Sequence, residues 1–277
     1  MPYRHVHWAL LSLFPLIGFA FWPNYLGQFS HVPFALHAHG LTATMWLVLL
    51  TVQSWSIHAH RPVWHRTAGL ATFIILPMFA AAGPLVLQGM AILWQANADP
   101  FHTAYGARLV IADMIAGPSV VIMVLYAFVH RRQVGVHAAA MLATALLVLP
   151  PIIARILPHL PGFPHAAWTG FGGFWLAFQL ANGLTIAIAL WLASRTPAAR
   201  LGFGFAAAST AAQMIGFETI ARMDVWNRWV TVLINIPSAP MALAAGLTAA
   251  ALLWGAWRRV PSRTPRPEHN MGAVKTV

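Results

Sequence analysis

Runs of about twenty apolar residues recur along this chain, the length a helix needs to cross roughly 30 Å of hydrocarbon. Between polar breaks they cover 8–27, 37–57, 68–93, 105–129, 138–157, 168–193, 201–221 and 230–257. In lipid every backbone polar group has to be satisfied within the chain, so such runs fold as helices. A composition of 59% hydrophobic and 8% charged residues, with a mean hydropathy of +0.68, excludes a soluble domain. The expected fold is all-α: a polytopic membrane bundle of about eight transmembrane helices. Residues 1–259 are expected to form one integral-membrane domain. Residues 260–277, with Pro261, Pro265 and Pro267 among basic and polar side chains, read as a disordered basic cytoplasmic tail.

The formal charge of +11 does not point to nucleic acid, because the basic residues fall in short clusters between apolar runs and form no extended face. They order the topology instead. With eight crossings, Arg4, Arg61, Arg66, Arg131, Arg132, Arg195, Arg200, Arg258, Arg259, Arg263, Arg266 and Lys275 share one side, 12 of the 16 basic residues. Cytoplasmic loops are enriched in this way, so both termini are expected in the cytoplasm and the chain in a bilayer, a bacterial inner membrane. The first run resembles a secretory signal, but its length and Pro15 and Pro23 favour an uncleaved span. Without cysteine there is no thiolate chemistry, and the 14 histidines carry any soft-ligand role.

Most of those histidines belong to basic turns or loops. His5, His7, His58, His60, His130 and His269 read as interfacial, and His31, His159 and His165 as loop residues. Four remain at the ends of spans: His39, preferred over His37 because Gly40 follows it, and His65, His102 and His137. In an up-down bundle His39 would face His102 near one membrane surface, and His65 would face His137 near the other. Two imidazoles from opposed helices meet the needs of a low-spin haem iron. Arg66 and Arg131 on one level, and Arg108 and Arg155 on the other, are placed to pair with haem propionates.

This arrangement, carried by His39-Gly40, His65-Arg66 with Gly69, His102 and His137, resembles the four-helix transmembrane di-haem cytochromes b, the ascorbate-type ferrireductases and their bacterial relatives. The resemblance covers about residues 37–157. It implies one or two b-type haems and electron transfer across the bilayer, with a quinone or a soluble redox protein as partner, since no nicotinamide or flavin fingerprint is present.

A second reading rests on charge. Asp113 lies two turns inside the fourth span, where an ionised carboxylate is costly unless paired, and Arg108 and Arg155 are the candidate partners. Such a residue marks a proton or solute path, so the alternative is a proton-coupled transporter of a small solute or metal. Glu218 and Arg222 have the i, i+4 spacing of a helix ion pair. The plainest alternative is a membrane protein whose histidines are interfacial and hold no cofactor.

Overall fold

A computed structural model describes residues 3–23 and 25–260. The expected tail lies outside the described residues but for Val260. Among the described residues there is no strand. The helices are α1 (Val6–Phe21), α2 (Phe34–His58), α3 (Pro62–Gly69), α4 (Thr72–Gln95), α5 (Pro100–Val129), α6 (Val134–Leu146), α7 (Leu149–Ile156), α8 (Phe174–Arg195), α9 (Arg200–Glu218), α10 (Asp224–Ile234) and α11 (Ser238–Arg258).

Six segments are long and apolar enough to cross a membrane: α2, α3 with α4, α5, α6 with α7 and its following turn, α8 with its preceding turn, and α11. The 16 residues of α1 extend only about 24 Å at helical rise. The 19 residues of α9 do not meet the same measure of length and apolarity. The run expected over 230–257 is corrected: α10 ends at Ile234, the chain turns, and α11 starts at Ser238. Pro237 accounts for the break, since it has no N–H to continue α10 and fits the position just before a new helix. Gln88 of α4 then holds the turn, donating to the carbonyls of Leu233, Ile234 and Ile236 at 3.2, 3.2 and 2.7 Å.

Helix boundaries elsewhere follow equally local causes. Asp99 caps α5, its carboxylate accepting from the His102 N–H at 2.9 Å, with Pro100 at the first helical position. Pro150 and Pro151 stand in the first turn of α7, where their missing N–H groups cost little, and α6 stops just before them.

Packing closes seven helices into a ring in the order α1, α2, α4, α5, α9, α8, α7 and back to α1. Here α6 lies against α5 and α9, while α11 and α10 cover the outside of α4 and α5. The face that carries Arg61, Arg66, Arg131, Arg195 and Arg258 is termed the basic face. In that half α6 fills the ring: Leu47, Leu50, Leu76, Met123, Val124, Ala139, Ala140, Ala143 and Phe203 form one buried cluster. Trp46 of α2 donates its indole N–H to Thr144 of α6 at 3.0 Å and ties this plug across the bundle.

The α6–α9 contact depends on a glycine. A Cβ on Gly202 would come within 2.9–3.0 Å of the main chain of Ala139 and Ala140, which cannot give way like a flexible side chain. Gly202→Val is therefore expected to destabilise the fold by roughly 2 kcal/mol, read as a lower melting temperature of the protein in detergent, whereas Gly204→Ala, with open space around it, leaves it unchanged.

Candidate functional site

Around the part of α5 that precedes Pro118, neighbours take most directions. Gly106 abuts Met90 and Trp94 of α4. Ala107 and Ile111 pack with Trp226 and Val230 of α10. Ser119 accepts from Ser209 of α9 at 2.8 Å, and Tyr105 and Ala112 cluster with Phe178 of α8 and Phe217 of α9. The remaining sector carries Leu109, Asp113, Ala116, Val120 and Ala127, at helical spacing, and looks into the ring. Under α6, Val120 and Ala127 are buried. Toward the other face Leu109 and Ala116 are half-buried and Asp113 is exposed. Exposure along this inward sector thus rises in the half that α6 does not reach.

Two independent registers fix what shares a level with Asp113. Gly89 of α4 touches Ala35 of α2, while Gly106 sits between Met90 and Trp94, so Ala35 is level with residue 109 and His39 with residue 113. Through the other route, His137 Nδ1 bonds the Ala127 carbonyl at 2.9 Å and Thr144 bonds Trp46. The seven residues from His137 to Thr144 put Thr144, and with it Trp46, level with residue 120, and seven residues further outward, at a rise of about 1.5 Å per residue, His39 again meets Asp113. His39 packs its ring on Phe79 with centroids 5.6 Å apart, and its Nδ1 is buried with no partner.

Arg155, on the continuation of the Thr144 face in α7, completes the layer. Asp113 and Arg155 are the one opposite charge that acts on each other, yet they form no contact ion pair among the described residues. The guanidinium lies over the Phe21 ring at 4.4 Å and donates to the Pro151 carbonyl at 2.9 Å. The α5 and α7 helices stand on different sides of the ring, and the carboxylate and the guanidinium are within electrostatic reach of each other. Among the described residues Asp113 makes no hydrogen bond.

Arg108 is not its partner, contrary to one expectation. It donates to Glu218 at 3.1 Å and to the Phe217 carbonyl at 3.2 Å, with its guanidinium 4.2 Å from the Phe217 ring centroid. Glu218 also accepts from Arg222 at 2.5 Å, the pair anticipated from spacing, and from Trp175 and Gln179 at 2.6 and 2.7 Å. Trp175 and Gln179 carry no motif, and only their i, i+4 spacing on α8 hints at a shared task. Arg131 is equally committed: it lies 4.1 Å over Trp257 and donates to the carbonyls of Trp257 and Val260. Arg66 is exposed on α3.

The four histidines do not assemble two haem sites. His102 precedes Asp113 by eleven residues, so it stands roughly 16 Å further along the axis than His39, on a helix that does not pack against α2. One iron cannot take a nitrogen from each. His102 is instead engaged with Asp99, Nδ1 to carboxylate at 2.5 Å. Burial works to raise the Asp99 carboxyl, but the hydrogen bonds from the His102 main chain and ring outweigh it and hold the group below its ordinary value.

His65 and His137 do share a level near the basic face and lie within electrostatic reach. Each fixes its ring through Nδ1 on a carbonyl, Gln53 at 3.4 Å and Ala127 at 2.9 Å, which leaves Nε2 available as a ligand. A macrocycle needs a flat slot between them, and the core at this level is closed: Leu76, Val124, Ala127, Ala139 and Ala140 are all 0% exposed. No group of three or more metal-ligating side chains occurs among the described residues. The residues present do not fit a haem at either level.

Protein purified from haem-replete cells is accordingly expected to show no Soret band and no reduced-minus-oxidised b-type difference spectrum, and a stoichiometric Soret absorption would reverse this fit. Comparisons with protein-family models, with curated proteins and with solved structures found no match.

Proposed function

We propose that the protein is a membrane carrier that takes up a small zwitterionic solute in the hollow half of the bundle, with proton coupling through Asp113. In this reading α1 and α9 also cross the bilayer, giving eight crossings with both ends on the basic face. That face is cytoplasmic by its excess of arginine, and the membrane is the inner membrane of a bacterium. The hollow then opens away from the cytoplasm.

The observation that supports it is the exposed, unbonded Asp113 opposite Arg155 at mid-helix. Two opposite charges held apart across a gap bind a ligand that carries both charges better than one that carries either. The cationic group of such a ligand meets Asp113, its anionic group meets Arg155, and the layer stays neutral when occupied. His39 adds a polar atom on the same level, so three ring helices contribute to one site. An aqueous carboxylate–guanidinium pair with no direct contact also takes or gives up a proton at less cost than a closed ion pair, as coupling requires.

The plug made by Trp46, Thr144, Leu47, Leu50, Leu76 and Met123 closes the path to the basic face. Beyond it His65, His137 and the buried unpaired Gln53 Nε2 form a second polar level. The described conformation is therefore open on one side and closed on the other, as alternating access demands of one of its end states.

Because the chain has no cysteine, single cysteines report the chamber directly. Asp113→Cys and Ala116→Cys are expected to react with a membrane-impermeant thiol reagent from the face opposite the basic one, while Val120→Cys and Ala127→Cys stay unlabelled. If Asp113→Cys resists the reagent from both faces, the chamber reading fails. In thermal-shift titrations against amino-acid-like zwitterions, Asp113→Asn is expected to weaken binding by at least about tenfold, ~1.4 kcal/mol. Equal binding of singly charged analogues would overturn the zwitterion assignment.

A further inference from the structure

At the basic end of α1 and α2, away from the chamber, a cavity of 350 Å³ is lined by His7, Trp8, Leu11, Thr51, Val52 and Trp55. His7 is 8% exposed and its Nδ1 is buried without a partner. Its ring lies 5.9 Å from that of His58. His58 Nδ1 donates to the Ser54 carbonyl at 2.8 Å, which leaves Nε2 of the neutral ring as a lone pair, again buried and unpaired. Ser54 Oγ, one turn from His58, is a third buried atom with no partner. Polar groups kept out of water without partners are rare in a finished interior, and three on adjoining turns mark a place where a ligand supplies what the chain does not.

Charge decides which ligand. Arg4, His5, His60 and Arg61 surround this end, and the Arg61 guanidinium stands 5.9 Å from the Trp55 ring. The described acidic residues lie elsewhere: Asp113 is in the chamber, and Asp99, Glu218 and Asp224 flank helix ends at the far face. The rim is cationic and imidazole-rich, the walls below it are apolar, and Trp8 at 65% and Leu11 at 41% exposed turn toward the surrounding bilayer. A ligand with an anionic head and a hydrocarbon chain matches both parts at once.

We propose that this cavity binds one anionic phospholipid, its phosphodiester at His7 and Arg61 and an acyl chain along Leu11 and Val52. The lipid would clamp α1 against α2. Indole rings at the two sides of the cavity hold the glycerol region at headgroup depth, where tryptophan is favoured.

The test uses the full chain in nanodiscs and native mass spectrometry after gentle release, with phosphatidylglycerol and phosphatidylcholine supplied equally. Wild type is expected to retain phosphatidylglycerol over phosphatidylcholine by about tenfold, ~1.4 kcal/mol, and Arg61→Gln and His7→Phe to bring the two lipids to near parity. Arg61 is exposed, so its variant folds even if His7→Phe does not. Equal retention in wild type, or unchanged preference in Arg61→Gln, overturns the proposal. So does a melting-temperature rise with inorganic phosphate equal to that with the lipid, which would make this a free-anion site, or a retained quinone in place of phospholipid.

Discussion

The break between α6 and α7 is the constraint on which this architecture turns. A straight helix from Val134 to Ile156 would fill the ring from one face to the other. Instead α6 stops at Leu146, the prolines at 150 and 151 start a new helix, and α7 moves outward to pack on α8 and α1. Half of the ring therefore has a central helix and half does not. The filled half is dense, with small alanines of α6 admitting the close approach of α9 at Gly202. The empty half exposes whatever the ring helices turn inward, and what α5 turns inward is a carboxylate.

Two charge systems of the bundle show what that means. Glu218 is saturated: two guanidiniums, an indole and an amide all donate to it, and Arg108 is further held on a carbonyl and an aromatic face. This network joins α5, α8 and α9 and leaves no acceptor spare, which is how a structural ion cluster offsets the cost of leaving water. Asp113 is the reverse. It has no donor in hydrogen-bond contact, and the opposing Arg155 spends one nitrogen on Pro151 and keeps its distance. Under the proposed reading, a polar pair left open in this way is organised around a third party.

Much of the fold was legible before any coordinates. Apolar run length located every long helix, and arginine clustering sorted the loops onto two faces that the helices then respect. The error came where proline decides, at Pro237, which splits the run expected over 230–257. For the site, Asp113 stood out because a carboxylate within an apolar span has no bland use as common as a histidine's. Arg155 was available as its partner, but so was Arg108. Choosing between them needed the ring order, since Arg108 points from α5 toward α9 and Asp113 points into the centre. The pairing of His39 with His102 failed for a reason that sequence spacing hides. Both residues open their helices, but α5 extends well past α2 at that end, so equal positions in sequence are unequal depths in the bundle. Contacts as small as Gly89 on Ala35 were required to see it.

With depth assigned, the polar residues of the interior form separate levels rather than a continuous path. His102 and Asp99 stand at the far surface; His39, Asp113 and Arg155 share the chamber level; Gln53, His65 and His137 stand near the basic face. From residue 39 to residue 53 of α2 the axial distance is about 21 Å. Between these levels the tie from Trp46 to Thr144 is the one side-chain hydrogen bond that joins α2 to α6 among the described residues. The rest of the contact between α2 and α6 is dispersion and close packing, which has no directional preference and re-forms readily after a small shift. A hydrogen bond in an apolar surround is costly to leave unmade, so Trp46 and Thr144 hold the plug in one register until another partner replaces them. The same bond that anchors α6 in the filled half therefore sets the cost of opening it. Under the proposed carrier reading, occupation of the level just above, where His39 sits two turns along the same face of α2 as Trp46, is the nearest place from which that cost can be changed.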